Sequence, residues 1–308
     1  MPEPVPLPPA ARRAVLAKLR RVVKKHGING EFPEFAIDDD STDAEFVAAL
    51  GAAAEAYHSH TRVFRDTPTE VQRNVGATAE RTRRRPPEFR WMLRPRVGTI
   101  KFFTFIQPEG DDDDPRPRNT VAATRTVLEG WVGRSATRST VGLVVDLRRH
   151  GGGNYRPALH ALGGHLLREK HLLSWVDRAG GEWSTFYDGD REVHRKGPAR
   201  LPEGYDNTLS GGVRVAVLIG PKTGSSGEIL AAMFAGKVGA RLFGAPSAGA
   251  LSVNGTYDLG FGVGVHLTTE RVCTSDGVLH ADERLVPDVL TKRPMTEAVA
   301  WLKSENNL

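Results

Sequence analysis

The chain has 308 residues, 39% hydrophobic and 26% charged, with a formal net charge of +5, ordinary for a globular protein and long enough for one large core or two domains. A single cysteine, Cys273, excludes an internal disulfide and a multi-cysteine zinc site, and no apolar run reaches the ~18 residues that a membrane-spanning helix needs. The proline-rich start Met1–Pro9 lacks the charged-then-apolar order of a secretory leader, so the expected setting is the cytoplasm, with no membrane partner.

Residues 10–26 place Ala, Leu and Val at helical spacing among Arg and Lys. This predicts an amphipathic helix with its basic residues towards the C-terminal end and Gly27 as its stop. A second helix is expected over the Ala-rich stretch 44–56, capped by Ser41 or Thr42 with acids just after it. The basic run Arg81–Arg85 carries no interleaved aromatics and no nucleic-acid module surrounds it, so it reads as a solvated loop and no nucleic-acid partner is expected. Residues 1–95 are thus assigned to an N-terminal helical cap.

The pattern changes after Pro95, and residues 96–308 are assigned to a separate core. Val97–Phe105 reads as a strand, 107–118 as an acidic, proline-rich loop, and Thr120–Val132 as a helix. Val141–Asp146 and Val213–Ile219 are continuous apolar runs, each followed by a glycine-bearing turn and then a helix. Buried strands alternating with helices predict an α/β sheet, whose sites collect where strands end and helices begin. Both motif-rich segments of the chain fall at such points.

The first is Asp146-Leu-Arg-Arg-His-Gly-Gly-Gly153. Three glycines let the backbone approach a ligand and turn N–H groups towards it, or serve only as a tight strand-to-helix turn. No Gly-Lys-Ser/Thr follows, which argues against a nucleotide loop, and no cofactor is expected. The second is Thr223-Gly-Ser-Ser-Gly-Glu228, opening a helix. A serine there sits where free N–H groups and the helix dipole stabilise an oxyanion, or it merely caps the helix.

Taken together the segments resemble the tail-specific, or C-terminal processing, protease family, on the tricorn-core side that lacks a PDZ domain. Asp146–Gly153 is similar to that family's Asp-Leu-Arg-x-Asn-x-Gly-Gly segment, with His150 in the asparagine position, and Thr223–Glu228 to its Thr-Ala-Ser-x-x-Glu segment. Gly244-Ala-Pro-Ser-Ala-Gly249, Asp276-Gly277 and Val286-Pro-Asp-Val289 follow in family order. The resemblance implies a ClpP/crotonase-like β/α spiral core, a peptide or protein substrate, Ser225 as nucleophile and the N–H groups of Ser226 and Gly152 as oxyanion donors.

Members with a Ser-Lys dyad carry lysine directly after the Gly-x-x-Thr-x-Gly turn, where this chain has Ala250. Lys222 stands only three residues before Ser225. The base is therefore expected from Tyr57-His-Ser-His-Thr-Arg62, which resembles the branch's short histidine motif: His60 takes the proton and Ser59 helps orient it. His58 and His60 also have the spacing of a metal-ligand pair, but no third ligand signature accompanies them and no metal is expected. By resemblance an acid steadies the pair; aligned on Val286-Pro-Asp288 the family's glutamate falls on Ala281, and Glu283, beside Asp282, is the nearby candidate. The alternatives are a catalytically silent family member that binds a hydrophobic ligand or peptide, and a crotonase-type thioester enzyme. Homo-oligomers occur among self-compartmentalising relatives and are a further expectation.

Overall fold

The computed structural model describes residues 7–35, 40–65, 88–92, 97–105, 142–153, 155–188, 191–198, 201, 203–280 and 284–304. The helix expected at 120–132, the runs at 81–85 and 111–114, and Glu283 lie outside those residues. The chain divides into two compact units, one of residues 1–77, 176–181 and 252–271, the other of 78–175, 182–251 and 272–308.

In the first unit, α1 (Pro9–His26) and α2 (Asp43–Tyr57) match the expected helices. Thr42 and Glu45 form a reciprocal capping box at the start of α2, which satisfies two otherwise orphaned donors. Gly27 ends α1 for a different reason from the one expected. Its φ of −71° is ordinary extended backbone, but a Cβ there would stand 2.3 Å from the Tyr57 hydroxyl, so packing rather than a left-handed turn requires the glycine. Both helices lay their apolar faces on strands from far along the chain. β1 (Arg62–Arg65) and β10 (Ser252–Gly260) each pair antiparallel with β11 (Val263–Cys273). Leu16, Leu19 and Val23 of α1, Leu50 and Tyr57 of α2, and Val263, Val265 and Leu267 of β11 share one buried cluster. The period-2 spacing of the last three turns them to one face of the strand.

The second unit is built on a sheet of β2 (Glu88–Met92), β3 (Val97–Phe105), β4 (Gly142–Gly153), β8 (Val215–Ile219), β9 (Ala240–Gly244) and β12 (Val289–Leu290), in the order β12-β9-β8-β4-β3-β2. Neighbours pair in parallel from β3 through to β12, and β2 is antiparallel to β3. This is the expected α/β architecture. The helix α5 (Pro294–Ser304) covers the sheet through Ala298 and Leu302, packed with Val97, Val144, Ala216, Leu218 and Phe243. β5 (Lys170–Asp177), β6 (Glu182–Tyr187) and β7 (Glu192–Lys196) lie side by side in a second sheet. The helices α3 (Arg156–Leu166) and α4 (Ser226–Ala232) follow β4 and β8.

One boundary departs from expectation. β4 does not stop at Asp146 but runs through the glycines to Gly153, pairing with β3 across two register shifts, with Phe105 opposite Gly153. The missing side chains allow the irregular, bulged continuation, and so the strand itself carries the glycine segment.

Candidate active site

The two motifs meet because β4 and β8 are immediate parallel neighbours, with Asp146 opposite Leu218. Parallel strands end on the same edge of a sheet, so the segments leaving them emerge side by side. Asp146, 3% exposed, accepts from the Arg148 backbone N–H at 3.1 Å and from its guanidinium at 2.9 and 2.8 Å, which ties the strand end to itself. Thr223 bridges the two strands: its hydroxyl donates to the Leu147 carbonyl at 3.0 Å and accepts from the Gly220 N–H at 3.0 Å.

Beyond Thr223 the second segment is clamped against the glycines. The Gly224 N–H donates to the His150 carbonyl at 3.1 Å, and the Ser226 hydroxyl donates to the Gly153 carbonyl. A Cβ on Gly227 would lie 2.0 Å from the His150 oxygen, so no side chain is tolerated there without a shift. Gly152 and Gly153 have φ of +134° and +95°, conformations that only glycine adopts cheaply. A Cβ on Gly152 would come within 3.4 Å of the Ser225 Cβ. The backbone of Gly152 therefore stands directly against Ser225.

Ser225 itself is strained. It precedes α4 with φ +49° and ψ −117°, a backbone state that costs a non-glycine residue about 1–3 kcal/mol. The neighbouring contacts impose it. The Ser225 carbonyl accepts from the Glu228 and Ile229 N–H groups at 2.8 and 2.9 Å, and its own N–H donates to Glu228 Oε2 at 2.8 Å. Ser226 is the first residue of α4, and an N–H at that position has no acceptor within the helix. The half-buried Ser225, the Ser226 N–H and the Gly152 backbone are thus brought together.

Glu228 had no assigned part. Its carboxylate is fully buried and accepts four hydrogen bonds, from the Ser225 N–H, the Ser247 hydroxyl, and the Gly249 and Ala250 N–H groups at 2.8 and 2.9 Å. Ser247 also accepts from the Leu285 N–H at 2.8 Å, which commits its proton to the carboxylate. Burial raises the Glu228 pKa and these hydrogen bonds oppose the shift. The Gly244–Gly249 turn is therefore a brace for the serine's backbone. A glutamate three residues after the serine was the sequence signal for it.

His150 is 1% exposed, burial lowers its pKa to about 4, and its Nδ1 has no partner among the described residues. It is a neutral packing group against Gly227. Lys222 is exposed.

In the first unit, His60 follows the end of α2. Its Nδ1 lies 2.8 Å from the Ser252 hydroxyl. Ser59, expected to orient the ring, is exposed, and the first residue of β10 holds the ring nitrogen instead. The chain reverses over residues 58–60, and His58 supports that turn, its Nδ1 accepting from the His60 N–H at 3.2 Å.

Comparison with known proteins adds three findings. The sequence profile of peptidase family S41 matches residues 96–291. A nisin-resistance protein from Lactococcus lactis subsp. lactis is 30% identical over 164 residues, 53% of this chain and 50% of that protein, so the chain spans about half the length of the curated relative it matches. Among solved structures, a lipoprotein from Streptococcus agalactiae superposes with a TM-score of 0.71 at 21% identity, covering 97% of this chain and 98% of that one. The photosystem II D1 C-terminal processing protease superposes at 0.59 with 14% identity, covering 96% and 97%. These two likenesses establish the fold.

Proposed function

The chain belongs to peptidase family S41, and from that premise we propose that it is a serine peptidase in which Ser225 attacks the peptide carbonyl and His60 takes its proton. The observation that carries the reading is the strained Ser225 at the start of α4, its side chain against the Gly152 backbone. Strain of this kind persists where the surroundings impose it, and it is common at reactive groups.

The steps follow from the parts. Attack of the Ser225 hydroxyl places a negative charge on the carbonyl oxygen. The N–H groups of Ser226 and Gly152, supplied by two different strand ends, receive that charge, and the start of α4 adds its dipole. His60 accepts the hydroxyl proton and returns it to the leaving amine. By the family resemblance, Glu283 is the candidate acid that steadies the Ser59–His60 pair. Water then releases the acyl group by the same route. Residues 223–228 and 244–250 hold the serine in place through Glu228, so the charge-stabilising groups need not reorganise during attack.

The Lactococcus relative is named for resistance to nisin, which makes nisin the first peptide to test. Incubation with the wild-type protein is expected to give discrete shortened products by mass spectrometry, and Ser225→Ala is expected to give none. Products that persist with Ser225→Ala would remove the serine from the mechanism. Intact nisin, together with cleavage of other peptides that Ser225→Ala abolishes, would exclude nisin alone.

A further inference from the structure

The group that holds His60 is remote in sequence, and we infer that Ser252 is the positioning residue of the base, an inference that rests on the proposed role of His60. The Ser252 hydroxyl lies 2.8 Å from His60 Nδ1, and Ser252 is 2% exposed, so the contact is shielded from competing water. Asn254, two residues further along β10, donates from Nδ2 to the His60 carbonyl at 2.9 Å. The His60 N–H is held in turn by His58 Nδ1. Ring, carbonyl and N–H of His60 are therefore each fastened, and two of those three fastenings come from the first three residues of β10.

The chemistry suits a proton carrier. A neutral imidazole has one donor and one acceptor nitrogen, whereas the imidazolium has two donors. A hydroxyl that accepts from Nδ1–H leaves the Nε2 lone pair to take the proton from the nucleophile. Once the ring is charged, Nδ1–H still points at the same oxygen, and no partner has to be exchanged during transfer. Ser252 can do this because its own hydrogen rotates away from the ring. It orients the ring without adding a negative charge, which distinguishes it from a carboxylate partner. Ser252 also stands two residues past Ala250, the position at which the resemblance places a lysine base in other members. In this chain the strand start supplies the holder of the base.

The test uses the whole 308-residue chain and a fluorophosphonate probe, whose saturable reaction separates a rate constant for inactivation from an affinity. Ser252→Ala is expected to lower the inactivation rate about 10- to 100-fold with the affinity unchanged, and Ser252→Thr, which keeps the hydroxyl, to recover most of it. The double variant Ser252→Ala/His60→Ala should be no slower than His60→Ala, because Ser252 acts only through His60. Nitrogen-15 spectra should show one His60 tautomer in the wild type and a mixture in Ser252→Ala. If His60→Ala is slow but Ser252→Ala reacts like the wild type, the inference fails and the base assignment stands. If His60→Ala reacts at the wild-type rate, the base assignment itself fails. A loss in Ser252→Ala that Thr does not recover, or that adds to the loss in His60→Ala, would make Ser252 a structural residue and overturn the inference.

Discussion

At the scale of single residues, the site depends on a backbone state that serine does not favour. The φ of +49° at Ser225 is held by hydrogen bonds on both sides of the residue, so the strain is carried by the fold. Relieving it has a measurable consequence. Ser225→Gly is expected to be about 1 kcal/mol more stable than Ser225→Ala in denaturant unfolding, because alanine keeps the penalty that glycine escapes. Both variants are expected to be inactive. Equal stabilities would mean that the turn relaxes and stores no strain. Ser225, Ser226 and Gly152 were legible in the sequence because they lie in contiguous motifs. Ser252 was not, since it acts on a residue 192 positions away and no local spacing encodes that pairing; Ser247 lay in the quoted 244–249 turn, but its tie to Glu228, 19 positions back, was not encoded there. Glu228 was visible as part of a motif, but three of its four donors come from the separate 247–250 segment.

At the scale of elements, α4 is only seven residues long, and tertiary contacts must supply the stability that propensity cannot. Glu228 is the main tie, joining the serine's N–H to the 247–250 turn. In Glu228→Gln the amide NH2 must face at least one backbone N–H that can only donate. The variant is expected to lose about 2–3 kcal/mol of stability and to react with a fluorophosphonate far more slowly, even where it remains folded. A folded variant that reacts at the wild-type rate would show that the brace is unnecessary. Elements with strong local periodicity, α1, α2, β3, β8 and α4, were legible from sequence. The β10–β11 hairpin was not. Its turn uses Gly260, Phe261 and Gly262 at φ +91°, +54° and +73°, and phenylalanine occupies a place where Asn, Asp or Gly would ordinarily signal such a turn. β4 was read as ending at Asp146 because glycines usually punctuate strands, yet pairing with β3 carries it on.

At the scale of the whole molecule, buried titratable groups tie stability to pH. Burial pushes His150 and His171 down to about 4, whereas in the unfolded chain they take up protons near pH 6.5. Acidification through that window therefore favours the unfolded state, by up to about 3 kcal/mol per histidine. Lys237 is buried among acceptors, its ammonium donating to the His171 carbonyl, Asn207 Oδ1 and the Ser275 hydroxyl at 2.6, 2.9 and 2.7 Å. Burial, with Lys170 nearby, lowers its pKa to about 7, so the unfolded chain holds a proton between that pH and about 10.4 that the fold releases. Thermal stability should accordingly rise with pH from about 4 through neutrality and onwards. Lys237→Met is expected to flatten the limb above pH 7 and, because the Lys237 charge also helps to hold His171 down, to make the acid limb shallower. A wild-type protein that gains stability on acidification would contradict the assignment of neutral buried histidines. The division of the chain into two units also had a partial sequence signal: the N-terminal helices were visible, but residues 252–271, which complete their core, lie about 200 positions downstream and carry no mark of that partnership.

The most direct measurement is the reaction of the folded protein with a fluorophosphonate, followed by mass-spectrometric mapping of the adduct in wild type and in His60→Ala. One adduct is expected, on Ser225, formed at a rate that His60→Ala lowers by about 10³-fold or more. An adduct on Ser226, or no adduct on folded wild-type protein, would contradict it.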